Sequence, residues 1–285
     1  MNKKPLMIVL SLVLGVTMLS ATALANVSSS SGYEVYKAAV KNLPLADSLT
    51  AQAAVSVSDN GTVVLNATST EKMNRVNKTM SSITTINAGD KTQSNEMYHQ
   101  NDQTIMKDSS SEIYNVISKG NRDFDKNHEE QSENQSVPKE VENIVDLLAA
   151  NFDNNISLDN NSDGSKTATL KLADSQITPL ENAVAALIVK NANHASERDQ
   201  AVTTSLPQLV DEISLNSVDV TAQISDQGQL TKQTLVIKVT GKDASGRVHE
   251  LLINVDINLS DINNTTPDTI DLTGKQVNTK AQPHE

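Results

Sequence analysis

The sequence predicts an α+β protein built on one large antiparallel sheet, an unclosed half-barrel of about eleven strands with three to four helices covering its concave face. Two observations lead to this prediction. Runs such as Val218–Ile224 and Leu251–Leu259 alternate apolar and mostly polar residues with a period of two. Other segments repeat apolar residues at helical spacing. A sheet with one apolar face packs against a cover, and amphipathic helices can provide it.

The first helix is predicted from about Tyr33 to Leu43, where apolar residues recur at helical spacing. A meander of strands follows and begins at Leu49–Val57, whose odd positions are apolar. The pair Asn60-Gly61 then predicts a tight hairpin turn, because both residues tolerate a positive φ. The further strands of the meander are predicted at Thr62–Ala67, Thr79–Asn87, Thr92–His99, Thr104–Lys107 and Glu112–Ile117.

The second half of the chain is predicted to alternate helices with strands. Helices are expected after Pro138, at Thr178–Ile188 and at Pro207–Ile213, where capping residues or a first-turn proline precede apolar stripes. A hairpin is expected between the first two of these helices. The strands are predicted at Ile156–Leu158, Thr167–Leu172, Val218–Ile224, Leu230–Thr240 and Leu251–Leu259.

Residues 1–25 are predicted to be a cleavable signal peptide. Two lysines form its positive start, Leu6–Leu19 is its apolar stretch, and Ala23 and Ala25 provide the small residues that precede cleavage. A membrane anchor is the alternative, but it needs about 20 apolar residues. We therefore expect cleavage after Ala25 and an extracytoplasmic, secreted protein with no stable membrane insertion.

The mature chain is predicted to be a single domain over residues 26–272. Residues near 120–136 are almost wholly polar, with Phe124 as their apolar exception, and this composition is typical of a mobile loop. Residues 273–285 are predicted to be a disordered tail. No disulfide is expected, because the chain contains no cysteine.

Composition also limits the partners. The net charge of −12 opposes binding to nucleic acids and to anionic membranes, which bind clustered Lys and Arg. A bacterial lipoprotein carries its lipid on a cysteine directly after the cleavage site, whereas this chain has Asn26 there. We therefore expect a monomeric bacterial protein that is not lipid-anchored.

The strongest local candidate for chemistry is an acidic turn with calcium-loop spacing. Asp159, Asn161, Asp163 and Ser165 place oxygen ligands at alternate positions, as in the first half of an EF-hand loop. The twelfth position is Leu170 where a bidentate Glu is needed, so the pattern favours a polar β-turn, with weak calcium binding as the alternative. We find no catalytic motif, and we expect no enzyme, no cofactor and no other metal site.

Two regions together suggest a family. They are the start with Tyr33, Glu34, Tyr36 and Lys37, and the final hairpin with Gln227-Gly228, Asp243–Gly246 and Asn254–Asn263. With the order of elements, they resemble the Lol-type lipoprotein carriers and related envelope lipoproteins, from Tyr33 to about Leu272. The chain looks like a secreted Gram-positive member of unassigned role.

The resemblance implies non-enzymatic work: holding a lipid, an apolar ligand or a lipidated client between sheet and helices. Many inward positions are Ala, Val or Ile, and aromatic residues make up 2% of the chain. That composition fits either a wide cavity or a small-residue core without a ligand. The alternative function is a structural or sensory module of the cell envelope, with a dry core and a protein partner. The sequence does not identify ligand-binding residues.

Overall fold

The computed structural model describes residues 31–118, 156–173, 177 and 206–281. Within these ranges the chain forms one α-helix, a 3-10 turn and twelve strands. Helix α1 spans Ser31–Asn42, and the 3-10 turn spans Leu43–Leu45. The strands are β1 (Ser48–Asp59), β2 (Thr62–Asn74), β3 (Thr79–Ala88), β4 (Lys91–Gln100), β5 (Gln103–Asp108), β6 (Tyr114–Ser118), β7 (Ile156–Asn160), β8 (Lys166–Ala173), β9 (Asp211–Ile224), β10 (Leu230–Lys242), β11 (Val248–Ser260) and β12 (Val277–Ala281).

All twelve strands belong to one sheet in the order β12-β6-β5-β4-β3-β2-β1-β11-β10-β9-β8-β7. The edge strands β12 and β7 do not pair with each other, so the sheet is unclosed. Every neighbouring pair is antiparallel except β12 and β6, which run parallel. The predicted large antiparallel sheet is therefore confirmed, with twelve strands instead of about eleven and one parallel pair at an edge.

The first helix and the first hairpin agree with the prediction. Helix α1 ends one residue before the predicted boundary, and Asn60 and Gly61 join β1 to β2 with φ values of 49° and 82°. The predicted helices after Pro138 and at Thr178–Ile188 lie outside the described residues, as do the signal peptide and the polar loop near 120–136.

The predicted helix at Pro207–Ile213 is wrong. Strand β9 already begins at Asp211, and the residues just before it are not helical. The N–H of Val210 donates to the carbonyl of Lys242 at 2.8 Å, which ties this segment to the sheet. Leu209 is buried against Gly241, and a Cβ at Gly241 would lie 3.1 Å from its Cδ1. Pairing and burial against β10 replace the helical turn that local signals favoured.

Helix α1 packs on one face of the sheet, called here the inner face. The hydroxyl of Tyr36 donates to Oε1 of Gln233 on β10 at 3.1 Å, and α1 also contacts β7, β8 and β9. The strand register places a continuous row of buried apolar side chains on this face. The row consists of Leu170, Val220, Leu235, Val255, Val55, Ala67 and Ile86.

Residues 261–276 cross the opposite, outer face and form what we call the C-terminal strap. Asn263 N–H donates to the carbonyl of Ser48 at 2.7 Å, and the hydroxyls of Thr265 and Thr50 lie 2.9 Å apart. Further along, Ile270 and Leu272 pack on a small apolar cluster. The cluster consists of Tyr98, Ile105, Tyr114 and Val116.

The strap leads into β12, so the predicted disordered tail at 273–285 is wrong for its described part. Val277–Ala281 pairs with β6 from Tyr114↔Val277 to Ser118↔Ala281. Backbone pairing along one edge offsets the cost of ordering a segment that has little apolar content of its own.

In the described ranges no helix is both long enough and apolar enough to cross a bilayer.

Candidate functional site

The inner face is buried at most positions, but its central strands leave a half-buried region that we call the inner-face patch. The patch consists of Ala51 and Ala53 on β1, Glu71 and Met73 on β2, and Met97 on β4. The register aligns Ala51 with Glu71, and Ser82 of β3 lies between Glu71 and Met97. The alanine side chains are small, and methionines adapt to irregular apolar partners. This region therefore presents partly exposed small and apolar side chains.

Glu71 is the unusual member of the inner-face patch. Burial raises the pKa of its carboxyl group, because a charge is disfavoured away from water. No cation pairs with Glu71 within the described part of the chain. The patch therefore contains a carboxylate whose charge is not balanced by the surrounding strands.

Polar side chains continue beside Glu71 on the same face. Ser69 and Thr84 are hydrogen-bonded through their hydroxyls at 2.9 Å, and the register places Asn95 next to Thr84. Nδ2 of Asn95 is buried and has no hydrogen-bond partner among the described residues. Buried amide groups are usually bonded, so this donor is available for an acceptor.

Sequence reasoning missed the inner-face patch. The predicted second strand stopped at Ala67, whereas β2 continues to Asn74. Ser69 and Glu71 interrupt the apolar alternation there, so the alternating pattern that predicted the strand stops before the strand itself ends. A signal was present, because Leu65, Ala67, Ser69, Glu71 and Met73 occupy successive positions of one strand face.

A second arrangement lies where segment 206–210 covers the sheet near the β10–β11 turn. His249 on β11 is 7% exposed and lies between two carboxylates. Its Nδ1 is 2.8 Å from Oδ2 of Asp59, and its Nε2 is 3.3 Å from Oδ2 of Asp243. Arg247 also donates to Asp243, at 2.9 Å through Nε. The group borders a cleft of about 510 Å³ that includes Leu206 and Gln208.

The electrostatics of this group favour a charged imidazole. The hydrogen bond to Asp59 is the main cause that raises the pKa of His249, with a smaller contribution from Asp243 against an opposing effect of burial. Hydrogen bonds from Ser245 and from Arg247 hold the pKa of Asp243 well below its usual range. Both ring nitrogens of His249 contact carboxylates, so neither is free to take a proton from a substrate. The arrangement joins β1, β11 and the β10–β11 turn.

The calcium candidates lie in and beside the β7–β8 turn. Oδ1 of Asp163 accepts hydrogen bonds from the backbone N–H and the hydroxyl of Ser165, at 3.0 and 2.6 Å, and these bonds lower its pKa. Nδ2 of Asn161 donates to the Ser165 hydroxyl at 2.9 Å, while Asp159 is in β7. Gly164 adopts the positive φ of 84° that the turn needs. These contacts are those of a polar turn.

The turn also adjoins the next hairpin. Asp226 of the β9–β10 turn lies beside Gly164, and both turns border a cleft of about 440 Å³. The described ranges contain no group of three or more His, Cys, Asp or Glu side chains placed to hold a metal ion. Weak calcium binding therefore stays a prediction.

No protein family and no curated protein matches this chain. Among solved structures, an uncharacterized conserved protein from Thermus thermophilus is 8% identical, with a TM-score of 0.27 over 88% of this chain and 100% of that one. A LolA superfamily protein from Nitrosomonas europaea is 13% identical, with a TM-score of 0.22 over 86% of this chain and 97% of that one. These values amount to a weak likeness at the level of the fold.

Proposed function

We propose that this chain is a secreted, non-enzymatic binding protein that holds a lipid or another apolar ligand on the inner-face patch. The observation that supports the proposal is the half-buried patch itself, set beside a row of inner-face side chains that are buried. Ala51, Ala53, Met73 and Met97 present apolar surface there. Covering such surface with a ligand is favourable by about 25 cal/mol for each Å² removed from water.

The proposal also covers the cellular location of the protein and the family to which it is related. The chain is exported by residues 1–25, is released after Ala25 and works as a monomer on the outer side of the cytoplasmic membrane. We further propose that it is a Lol-type carrier-like protein of a Gram-positive envelope. A ligand or lipidated client would then be bound in solution or at the cell wall.

The test is binding of a neutral fluorescent apolar probe to the mature protein. We expect the probe to brighten and to be displaced by unlabelled lipid. Ala53→Phe fills the inner-face patch and should weaken binding. Ala54→Phe is the matched control, because it makes the same change one residue away on the exposed outer face. Thermal unfolding of both variants shows whether each is folded.

Two results would contradict the proposal. One is the absence of any displaceable probe, which would favour the envelope module with a dry core and a protein partner. The other is equal binding by the two phenylalanine variants when both are folded, which would place the ligand elsewhere.

A further inference from the structure

We propose that the inner-face patch selects a cationic amphiphile, an apolar chain that carries an amine or ammonium group, and that Glu71 is the partner of that charge. This inference rests on the proposed function and adds the chemical class of the ligand.

The first step is the position of Glu71. Its partner Ala51 on β1 and its neighbour Met73 along β2 are apolar or small, and Ser82 on its other side is buried. A carboxylate in such surroundings loses hydration, and the loss is offset when a cation or several hydrogen-bond donors approach it. The described strands supply neither a paired cation nor a hydrogen bond to this side chain. A ligand with a positive charge would supply both.

The second step is the charge of the surrounding face. The register places Asp108 of β5 next to Asn95 on the inner face, where its Oδ2 accepts a hydrogen bond from Gln93 at 3.1 Å. Lys91 at the start of β4 is exposed, and Lys72 of β2 is on the outer face, where it pairs with Asp268 at 2.9 Å. Lys37 on α1 is 3.8 Å from Glu34 of the same helix. The carboxylates of this region therefore disfavour an anionic head group.

The third step is the pair of polar groups beside Glu71. The linked hydroxyls of Ser69 and Thr84 can accept hydrogen bonds from an amine, whose N–H groups are donors. The N–H groups of an amine can donate hydrogen bonds to the carboxylate oxygens of Glu71. A fatty acid would place a second carboxylate against it, and a fatty alcohol would leave its charge unbalanced.

The experiment measures displacement of the neutral probe by three ligands with the same chain: dodecylamine, dodecanol and dodecanoic acid. For the wild-type chain at neutral pH, we expect dodecylamine to displace the probe at a concentration lower than that of dodecanol by about tenfold or more. Dodecanoic acid should be the weakest. Glu71→Gln keeps the shape of the side chain and should make dodecylamine and dodecanol equal. Glu250→Gln changes an exposed carboxylate on β11 and should keep the wild-type preference.

The outcomes separate this inference from the proposed function. If no probe binds, the proposed function is wrong and this inference falls with it. If the probe binds but dodecylamine has no advantage over dodecanol, or if Glu71→Gln keeps the advantage, only the inference is wrong. Glu71→Gln removes a half-buried carboxylate that has no paired cation among the described residues, so its melting temperature should not fall and a folding defect should not obscure the result.

Discussion

Replacing Gln100 by Ala should release the C-terminal strap from the outer face. The Gln100 side chain bonds to both backbone groups of Ile270, donating through Nε2 to the carbonyl at 2.8 Å and accepting at Oε1 from the N–H at 2.9 Å. It thus imitates a strand partner for the strap. Alanine removes both bonds while the apolar contacts of Ile270 and Leu272 stay available.

The expected cost follows from these two hydrogen bonds. Each contributes about 0.5–1.5 kcal/mol to the free energy of unfolding, so the loss is about 1–3 kcal/mol. Because both bonds are only partly buried, water can replace part of each interaction, and we expect the lower half of that range. For a chain of this size the melting temperature should fall by about 2–6 °C.

Urea unfolding followed by tyrosine fluorescence is a suitable assay. The protein has four tyrosines and no tryptophan, and Tyr98 and Tyr114 belong to the apolar cluster under the strap. Gln103→Ala is the control, because Gln103 lies directly opposite Gln100 and its side chain makes one long hydrogen bond within the described residues, to the Ser118 hydroxyl at 3.5 Å. Equal stability of Gln100→Ala and wild type, with no faster proteolysis of the C-terminus, would refute this account of the strap.

Three further predictions concern other contacts. The raised pKa of His249 means that its contacts with carboxylates stabilise the fold fully below the pKa of an unfolded histidine. This stabilisation is lost as pH rises through the raised pKa of the folded protein. His249→Asn should therefore remove this part of the fall in melting temperature when the pH is raised from below the ordinary histidine pKa to above the raised one. A rise in wild-type stability over the same range would contradict it. Gly241→Ala forces a Cβ to 3.1 Å from Leu209 and should cost about 1–3 kcal/mol in a denaturant titration, whereas no loss would show that Leu209 moves freely. Millimolar calcium should leave the melting temperature unchanged, and a rise abolished by Asp163→Ala would instead support the calcium alternative.

The large sheet was predictable because several of its long strands show a clear two-residue apolar period. Val218–Ile224 and Leu251–Leu259 show one apolar face without reference to any partner, and Asn60-Gly61 identifies its turn from local chemistry alone. The observed β9 and β11 extend past these predicted ends, where pairing continues after the apolar pattern fades. Local pattern thus predicts that a strand exists better than where it ends.

The strap and the histidine contacts depend on partners that no local pattern reveals. Thr265 meets Thr50 across 215 residues of sequence, and His249 meets Asp59 across 190. Residues 261–276 have neither a helical nor a strand period, so no helix or strand was predicted for them and a tail was predicted from residue 273. The same holds for Glu71, whose burial depends on the strands around it and not on its sequence neighbours.

Native mass spectrometry of the mature chain tests the central claim most directly. After incubation with lipids extracted from an envelope, the account predicts a folded monomer with the added mass of one apolar ligand. The added mass should be lost in Ala53→Phe and kept in Ala54→Phe. Spectra that show only the bare polypeptide, for wild type and both variants alike, would contradict the claim that the inner-face patch binds a ligand.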